Sequence, residues 1–421
     1  MEGNLSSAVL TRRQVLSTLI WPGAAAHAAN AMVANKPRSV IVVGAGISGL
    51  AAAWQLQNRG YTVRVLEADL NRIGGRIYTY RNETGQHGEL GAMRLPASHK
   101  LTMHYVHHFK LPYRKFVQFN PDAYYLTSGN RRRNRTVNEF DFSVTRNMDG
   151  RHGGIWAGTF YELTAGMDSL TTAICRELYR APECGTKVTK VAQNPDGKRV
   201  KVFAETTHGG TWLEADAVVL TVPVGVLKQV RFEPPLPKAQ AKAILHTNIT
   251  AAHKVIAGTR ERPWEQLDGI YGGGSYTDLR SAMTFYPSDN AASRNASVSR
   301  GPGCLLASYA LAEKASWLSQ QTETQAISAV KRSLIALHPE LAANGAITRW
   351  ARWSWDNHAY SQGGFAQPGA SAAELATLRG SFGCVVFAGE HTSANRSWIQ
   401  GALESAHHAV REVCRICPGF F

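Results

Sequence analysis

Residues 39–67 constrain this chain more than any other stretch. They read SVIVVGAGISGLAAAWQLQNRGYTVRVLE. Ser39 to Val43 is a β-branched run without charge, the pattern of a parallel strand covered on both faces. Gly44, Gly46 and Gly49 follow at once. Leu50, Ala51, Ala52, Ala53 and Leu56 then supply a helix face, and Tyr61 to Leu66 gives a second strand. That strand ends at Glu67, about 20 residues beyond the glycines, where a dinucleotide fingerprint places its acid. Each residue type has a physical reason. Gly44 permits the tight turn, Gly46 lets the backbone approach a pyrophosphate, and Gly49 lets helix and strand pack closely. The pyrophosphate sits on the N–H groups and positive dipole end of the new helix, beside Ser48. Glu67, followed by Ala68, accepts ribose hydroxyls and repels a 2′-phosphate, which favours FAD or NAD over NADP. A strand, a glycine turn, a helix and an acid in this order predict an α/β nucleotide fold.

The chain has 421 residues, enough for two or three domains. Its net charge of +15 is spread along the sequence apart from Arg131, Arg132, Arg133 and Arg135, so it reads as a solvated basic surface with no nucleic-acid site. Six scattered cysteines make no disulfide framework. Cys414 and Cys417 form a CxxC without a second pair, which reads as a helix end, and no metal constellation is evident. One disulfide stays open should the protein be exported. Arg12 and Arg13, an apolar stretch from Val15 and the Ala26-His27-Ala28 site resemble a twin-arginine leader, with residues 1–28 removed and the mature protein exported to the periplasm or secreted. No other apolar stretch approaches the ~18 residues of a membrane span, so the mature protein is expected to be soluble.

Past Glu67, Gly74-Gly75-Arg76 forms a second glycine turn that brings N–H groups and a cation to the far side of the same phosphates. With this turn, residues 44–76 resemble the opening of the flavin-containing amine oxidases, whose cofactor is FAD. Residues 89–96, ELGAMRLP, narrow the resemblance to the L-amino acid oxidases. In that group this strand passes beneath the flavin, which puts Gly91, Ala92 and Met93 at the cofactor and makes Arg94 the anchor of the substrate carboxylate. A planar guanidinium suits that task, because it grips a carboxylate through two parallel hydrogen bonds. On the residues alone, Arg94 equally fits a structural ion pair with Glu89 or Asp69.

Further motifs agree in order. Residues 161–170 resemble the family's GGMDxL turn, and Val188 falls where a backbone group contacts the adenine. Lys254 matches the lysine that holds a water against flavin N5, although a strand lysine taken alone reads as an exposed edge residue. Tyr309 falls on the second carboxylate ligand. Tyr360 to Phe365 carries a Gly-Gly turn that suits a close backbone pass, with Phe365 lining the side-chain pocket; core packing explains Tyr309 and Phe365 equally well. Gly389 and Glu390 end a buried strand at the ribityl or phosphate side of FAD. Ser397, Trp398 and Ile399 open the last helix at the flavin, and the resemblance puts Ser397 and Trp398 in the substrate site, with Trp398 as one wall of an aromatic cage. In place of the family's long helical insertion stands only 135–152, without helical period. That shortening implies a more open cavity, or one closed by a partner subunit in a homodimer.

The expected architecture is a discontinuous Rossmann-like FAD-binding domain from 37–97, 161–235 and 380–415. It is joined to a mixed-sheet α+β substrate domain from 98–160 and 236–379, with the helical insertion much reduced. The function the resemblance implies is oxidation of an L-amino acid by hydride transfer from the α-carbon to flavin N5, with oxygen as second substrate. The products are a 2-oxo acid, ammonia and hydrogen peroxide. An oxidase of carboxylate-free amines and a flavin-binding protein with little turnover are the alternatives.

Overall fold

In the computed structural model, residues 37–134, 158–194 and 197–418 are described. The segments 1–28 and 135–152, on which the leader and the shortened insertion fall, lie outside these residues. The charge-free run forms a strand, Ser39–Val43, in a parallel sheet ordered Thr62–Leu66, Ser39–Val43, Ala217–Leu220, Val385–Phe387. Such a sheet must be covered twice, and it is. On one face Val40 and Val42 pack against the helices Ile47–Gln57 and Ile399–Ile416 through Leu50, Ala53, Leu403 and Val410. On the other face Ile41, Val43, Val218 and Phe387 meet Val188, Val191 and Val202 from a second, four-stranded sheet. Ser48 Oγ lies 3.0 Å from Ser405 Oγ, which ties the first helix to the last.

A seven-stranded sheet forms the other half. Its order is Ile347–Ser354, Ala252–Thr259, Gly303–Leu311, Met283–Phe285, Gly274–Thr277, Tyr124–Thr127, Asn130–Arg133. Every residue of Ala252–Thr259 is buried. Val255 and Ala257 pack under the helices Ala312–Gln320 and Glu323–Leu337. Ile256 points the other way, toward Leu90 and Met93, and the period of two in a strand sends Lys254 to that same face. This alternation brings Lys254 to the face that Leu90 and Met93 cover.

Several local expectations change. The apolar spacing of 104–117 suggests one helix, but the helix is Lys100–His108, and Tyr113–Phe116 is a strand paired with Phe160–Leu163. Pro112 and the left-handed Lys110 (φ 52°) end the helix between them. The proline-dense 231–237 is not all loop: Arg231–Glu233 precedes the prolines and pairs with Lys190–Ala192. The last helix runs to Ile416, so Cys414 lies in its final turn and Cys417 caps it, and no disulfide joins any of the six cysteines. Arg131, Arg132 and Arg133 sit on an edge strand, where Arg131 and Arg133 stack on Tyr124 and Arg132 on Tyr125. Among the described residues no helix is long and apolar enough to cross a membrane.

Candidate active site

The carboxyl ends of the parallel strands open into a large cavity, about 1870 Å³ with its mouth included. Gly44 turns with φ +105° as Ser39–Val43 ends, and a Cβ on Gly49 would sit 2.0 Å from the Gly44 carbonyl oxygen. Gly49 thus serves packing alone, and it is the one predicted site residue that does not line the cavity. Gly46 is different. A Cβ there would meet nothing closer than Gly75 Cα at 3.8 Å, so protein packing does not demand this glycine. The open space above it is the kind a pyrophosphate fills. The second glycine turn docks on the first, with Gly74 N–H donating to Ala45 O at 2.9 Å.

Glu67 is buried at the end of its strand, where Oε2 accepts from the Ala45 N–H (2.7 Å) and Oε1 from the Asp69 N–H (2.9 Å). Burial pushes its carboxyl up, and these two donors oppose the shift. Each oxygen retains a second lone pair for a ribose hydroxyl. Across the cavity Arg76 and Glu390 form an ion pair at 2.8 Å. Glu390 also accepts from the N–H groups of Ala366 and Ser397. Burial alone would raise its pKa; Arg76, His391 and those donors outweigh burial and hold the carboxyl below its ordinary value. The helix Ile399–Ile416 starts here, and its N-cap Trp398 makes no side-chain cap. Ser48, Ala68, Val188, Gly389 and Ile399 line the same cavity.

At the far end the cavity is walled by Met93, Arg94, Lys254, Tyr309, Phe365, Ser397 and Trp398. Lys254 is no edge residue: it is 2% exposed, directly opposite Tyr309 in the sheet, with Nζ 4.5 Å from that ring's centroid. Arg94 is 7% exposed, its guanidinium 5.7 Å from the Phe160 ring and 5.6 Å from Phe285. Burial lowers its pKa, opposed by the hydroxyls of Tyr309 and Tyr276. Of the acids the sequence offers Arg94, the Glu89 carboxylate accepts from Thr79 and the Met167 N–H, and Asp69 pairs with Arg72 and His358. Ser397 adopts φ 71°, pinned by N–H to Glu390 Oε2 (2.8 Å) and hydroxyl to Ala366 O (3.0 Å). That strained backbone aims Trp398 into the cavity. The Gly363-Gly364 pair has a packing cause: Cβ atoms there would strike Ile249 at 2.2 Å and Ala252 at 2.5 Å.

Sequence reasoning missed Arg72, Thr221, Trp355, His358 and Tyr360, which also line the cavity. Trp355 Nε1–H donates to Leu90 O at 2.9 Å, fixing the irregular stretch between the strands His87–Glu89 and Leu95–Pro96 that carries Arg94, where the sequence suggests one continuous strand. The guanidinium of Arg72 stacks 4.8 Å from the Tyr78 ring and donates to Gly75 O at 2.6 Å. The tryptophan cluster at 350–355 was the visible signal for this wall, without any indication of which ring faces inward.

A family model described as flavin containing amine oxidoreductase matches residues 47–146 and 138–414. The chain belongs to this family. As a flavin-containing amine oxidoreductase it is an enzyme with FAD as its cofactor, and the glycine cradle and Glu67 fit that cofactor. It is 29% identical to an L-amino-acid oxidase of Mus musculus, over 89% of this chain and 70% of the relative. An L-amino-acid oxidase of Bothrops atrox is 27% identical, over 90% of this chain and 89% of the relative. A solved structure of putrescine oxidase shares the fold, with a TM-score of 0.72 over 90% of this chain and 99% of the other, at 18% identity.

Proposed function

We propose that this amine oxidoreductase oxidises L-amino acids to 2-oxo acids, ammonia and hydrogen peroxide. The observation that carries the reading is Arg94, a buried guanidinium beside two aromatic rings and opening on the same cavity as Tyr309. A planar guanidinium on that wall matches a carboxylate through two parallel hydrogen bonds, so it suits a substrate that brings one. Bound FAD supplies the hydride acceptor, and its reoxidation by oxygen gives the peroxide. The chain's own residues do the rest. Gly44, Gly46 and Glu67 hold the adenosine and pyrophosphate, and Arg76 with Glu390 flanks the phosphates. Arg94 and Tyr309 fix the carboxylate, so that the α-carbon is presented in one orientation, and this positioning is the main catalytic contribution of the protein. Trp398 and Phe365 offer aromatic faces to the amine and side chain. Lys254 places a positive charge beside the flavin, which favours the negative charge that reduction develops. In this reading 37–97, 161–235 and 380–415 serve the cofactor, and 98–160 with 236–379 serves the substrate.

The test is peroxide formation by the purified yellow protein with a panel of L-amino acids and their decarboxylated amines. Turnover of the acids over the amines is expected. Preference for amines would replace this reading with an amine oxidase, and no peroxide from either set would leave a flavin-binding protein.

A further inference from the structure

Helix Glu323–Leu337 ends where Pro339 forces the residue before it out of helical geometry, and the ring of His338 turns into the protein, buried. One short 3₁₀ turn, Pro339–Ala342, then brings Glu340 back beside that ring. Asp268, just past the short helix Pro263–Gln266, meets the same edge of it. His338 Nδ1 lies 3.2 Å from Asp268 Oδ2 and 3.0 Å from Glu340 Oε1, and the three side chains bring one ligand atom each within 4.8 Å of the others. None of the three lines the cofactor cavity. The cluster is hidden in the sequence because Asp268 is remote from His338 and Glu340.

A hydrogen on Nδ1 points one way and cannot align with two carboxylates, so one acid is always poorly served. A divalent ion bonds all three atoms at once, and a neutral imidazole with two carboxylates carries the two negative charges that balance it. Around a tetrahedral zinc the nitrogen and oxygen ligands stand about 3.4 Å apart, close to the 3.2 and 3.0 Å seen here. The outer contacts fit as well. A metal-bound histidine holds its second nitrogen in a hydrogen bond, and His338 Nε2 lies 2.7 Å from the Tyr286 hydroxyl, itself 2.6 Å from Ser275 Oγ. Asp268 turns only Oδ2 to the ring, while its Oδ1 accepts from the Tyr124 hydroxyl at 2.5 Å and from Arg133 at 3.2 Å. Arg133 stands behind that acid and opposes a cation, which limits the affinity; Arg131 stacks on the Tyr124 ring.

We propose that Asp268, His338 and Glu340 form a binding site for a divalent ion of the zinc class, apart from the flavin cavity. One imidazole with two carboxylates suits zinc, whereas magnesium and calcium take shells of oxygen ligands alone. Asp268 and Glu340 are 14% and 26% exposed at their side chains, so the ion enters from solvent on their side and water completes a four-coordinate shell. It pins the end of Glu323–Leu337 to the Asp268 loop. With the ion removed, a proton shared with the two acids takes its place on Nδ1.

The inference depends on neither the flavin nor the substrate reading. Its test is zinc uptake by chelator-treated holoenzyme, read by equilibrium dialysis and by thermal melting, with magnesium as control. Wild type should hold one zinc more than Glu340→Gln at the same free concentration, the variant losing at least about tenfold in affinity. At a hundredfold excess over its Kd, zinc should raise the wild-type melting temperature by about 3 °C, and magnesium should not. Equal uptake and equal melting shifts in wild type and Glu340→Gln overturn the proposal, as does wild type that binds no zinc or a shift that magnesium reproduces. Should Glu340→Gln fail to fold, Asp268→Asn, whose amide keeps an oxygen for Tyr124 and Arg133, is held to the same outcomes.

Discussion

Replacing Arg94 by methionine removes the guanidinium yet keeps an unbranched side chain between Phe160 and Phe285, so the change reads charge rather than packing. Arg94 is 7% exposed, its guanidinium 5.7 and 5.6 Å from the Phe160 and Phe285 ring centroids. In such a dry site, deleting one partner of a hydrogen-bonded charge pair costs about 2–5 kcal/mol. At 1.36 kcal/mol per factor of ten, kcat/KM for an L-amino acid should fall roughly 30- to 5,000-fold. The corresponding amine brings no carboxylate and gains nothing from Arg94, so its kcat/KM should hold or rise. The assay is peroxide release from matched pairs, L-phenylalanine with 2-phenylethylamine and L-leucine with 3-methylbutylamine, on protein whose flavin absorbance confirms full loading. An equal loss on acid and amine with FAD retained would refute the assignment of Arg94 to the carboxylate.

Two glycines of the first turn should part company under substitution. Gly46→Val places new atoms in open space above the turn, so thermal stability without cofactor should stay within about 1 kcal/mol while flavin absorbance is lost on purification. Gly49→Ala puts a Cβ 2.0 Å from the Gly44 carbonyl oxygen and should cost about 1–3 kcal/mol or more; a Gly49→Ala protein with an unchanged melting temperature contradicts the packing role. His338 predicts a pH dependence of stability. It ends the helix Glu323–Leu337, with Nδ1 3.2 Å from Asp268 and 3.0 Å from Glu340. Burial would lower its pKa, but the bonds to those two acids outweigh burial and raise it. A raised folded pKa means that the stabilisation is complete below the unfolded value of about 6.5 and is lost as pH rises through the folded pKa. The urea midpoint should therefore decline as pH rises above about 6.5, and His338→Gln should flatten that decline; an equally steep decline in the variant argues against it.

The nucleotide half was legible because its signals are local. Strand, turn and helix at 39–57 each follow from composition within a few residues, and Glu67 follows at a fixed distance. Lys254 shows where locality ends. A strand lysine reads as an edge residue, and only the pairing of Ala252–Thr259 on both sides makes it central and buried. The wall formed by Trp355, His358 and Tyr360 was illegible for a related reason. Aromatic spacing names candidates for the core, but the inward ring is chosen by contacts as remote as the Trp355 bond to Leu90. The Tyr113–Phe116 strand failed on period: YRKF alternates too briefly to outweigh the helical spacing before it, and its partner Phe160–Leu163 is distant in sequence.

The bond between Ser48 and Ser405 sets an order of events during synthesis. The first glycine turn is among the earliest parts of the described chain to leave the ribosome, whereas Gly389, Glu390 and Trp398 are among the last. Until Val385–Phe387 adds its edge to the parallel sheet and Ile399–Ile416 lies against Ile47–Gln57, the early turn is a nucleotide site with one side missing. Cofactor loading therefore waits for the segment from Val385 onward, and a nascent chain stalled before residue 385 should carry no flavin.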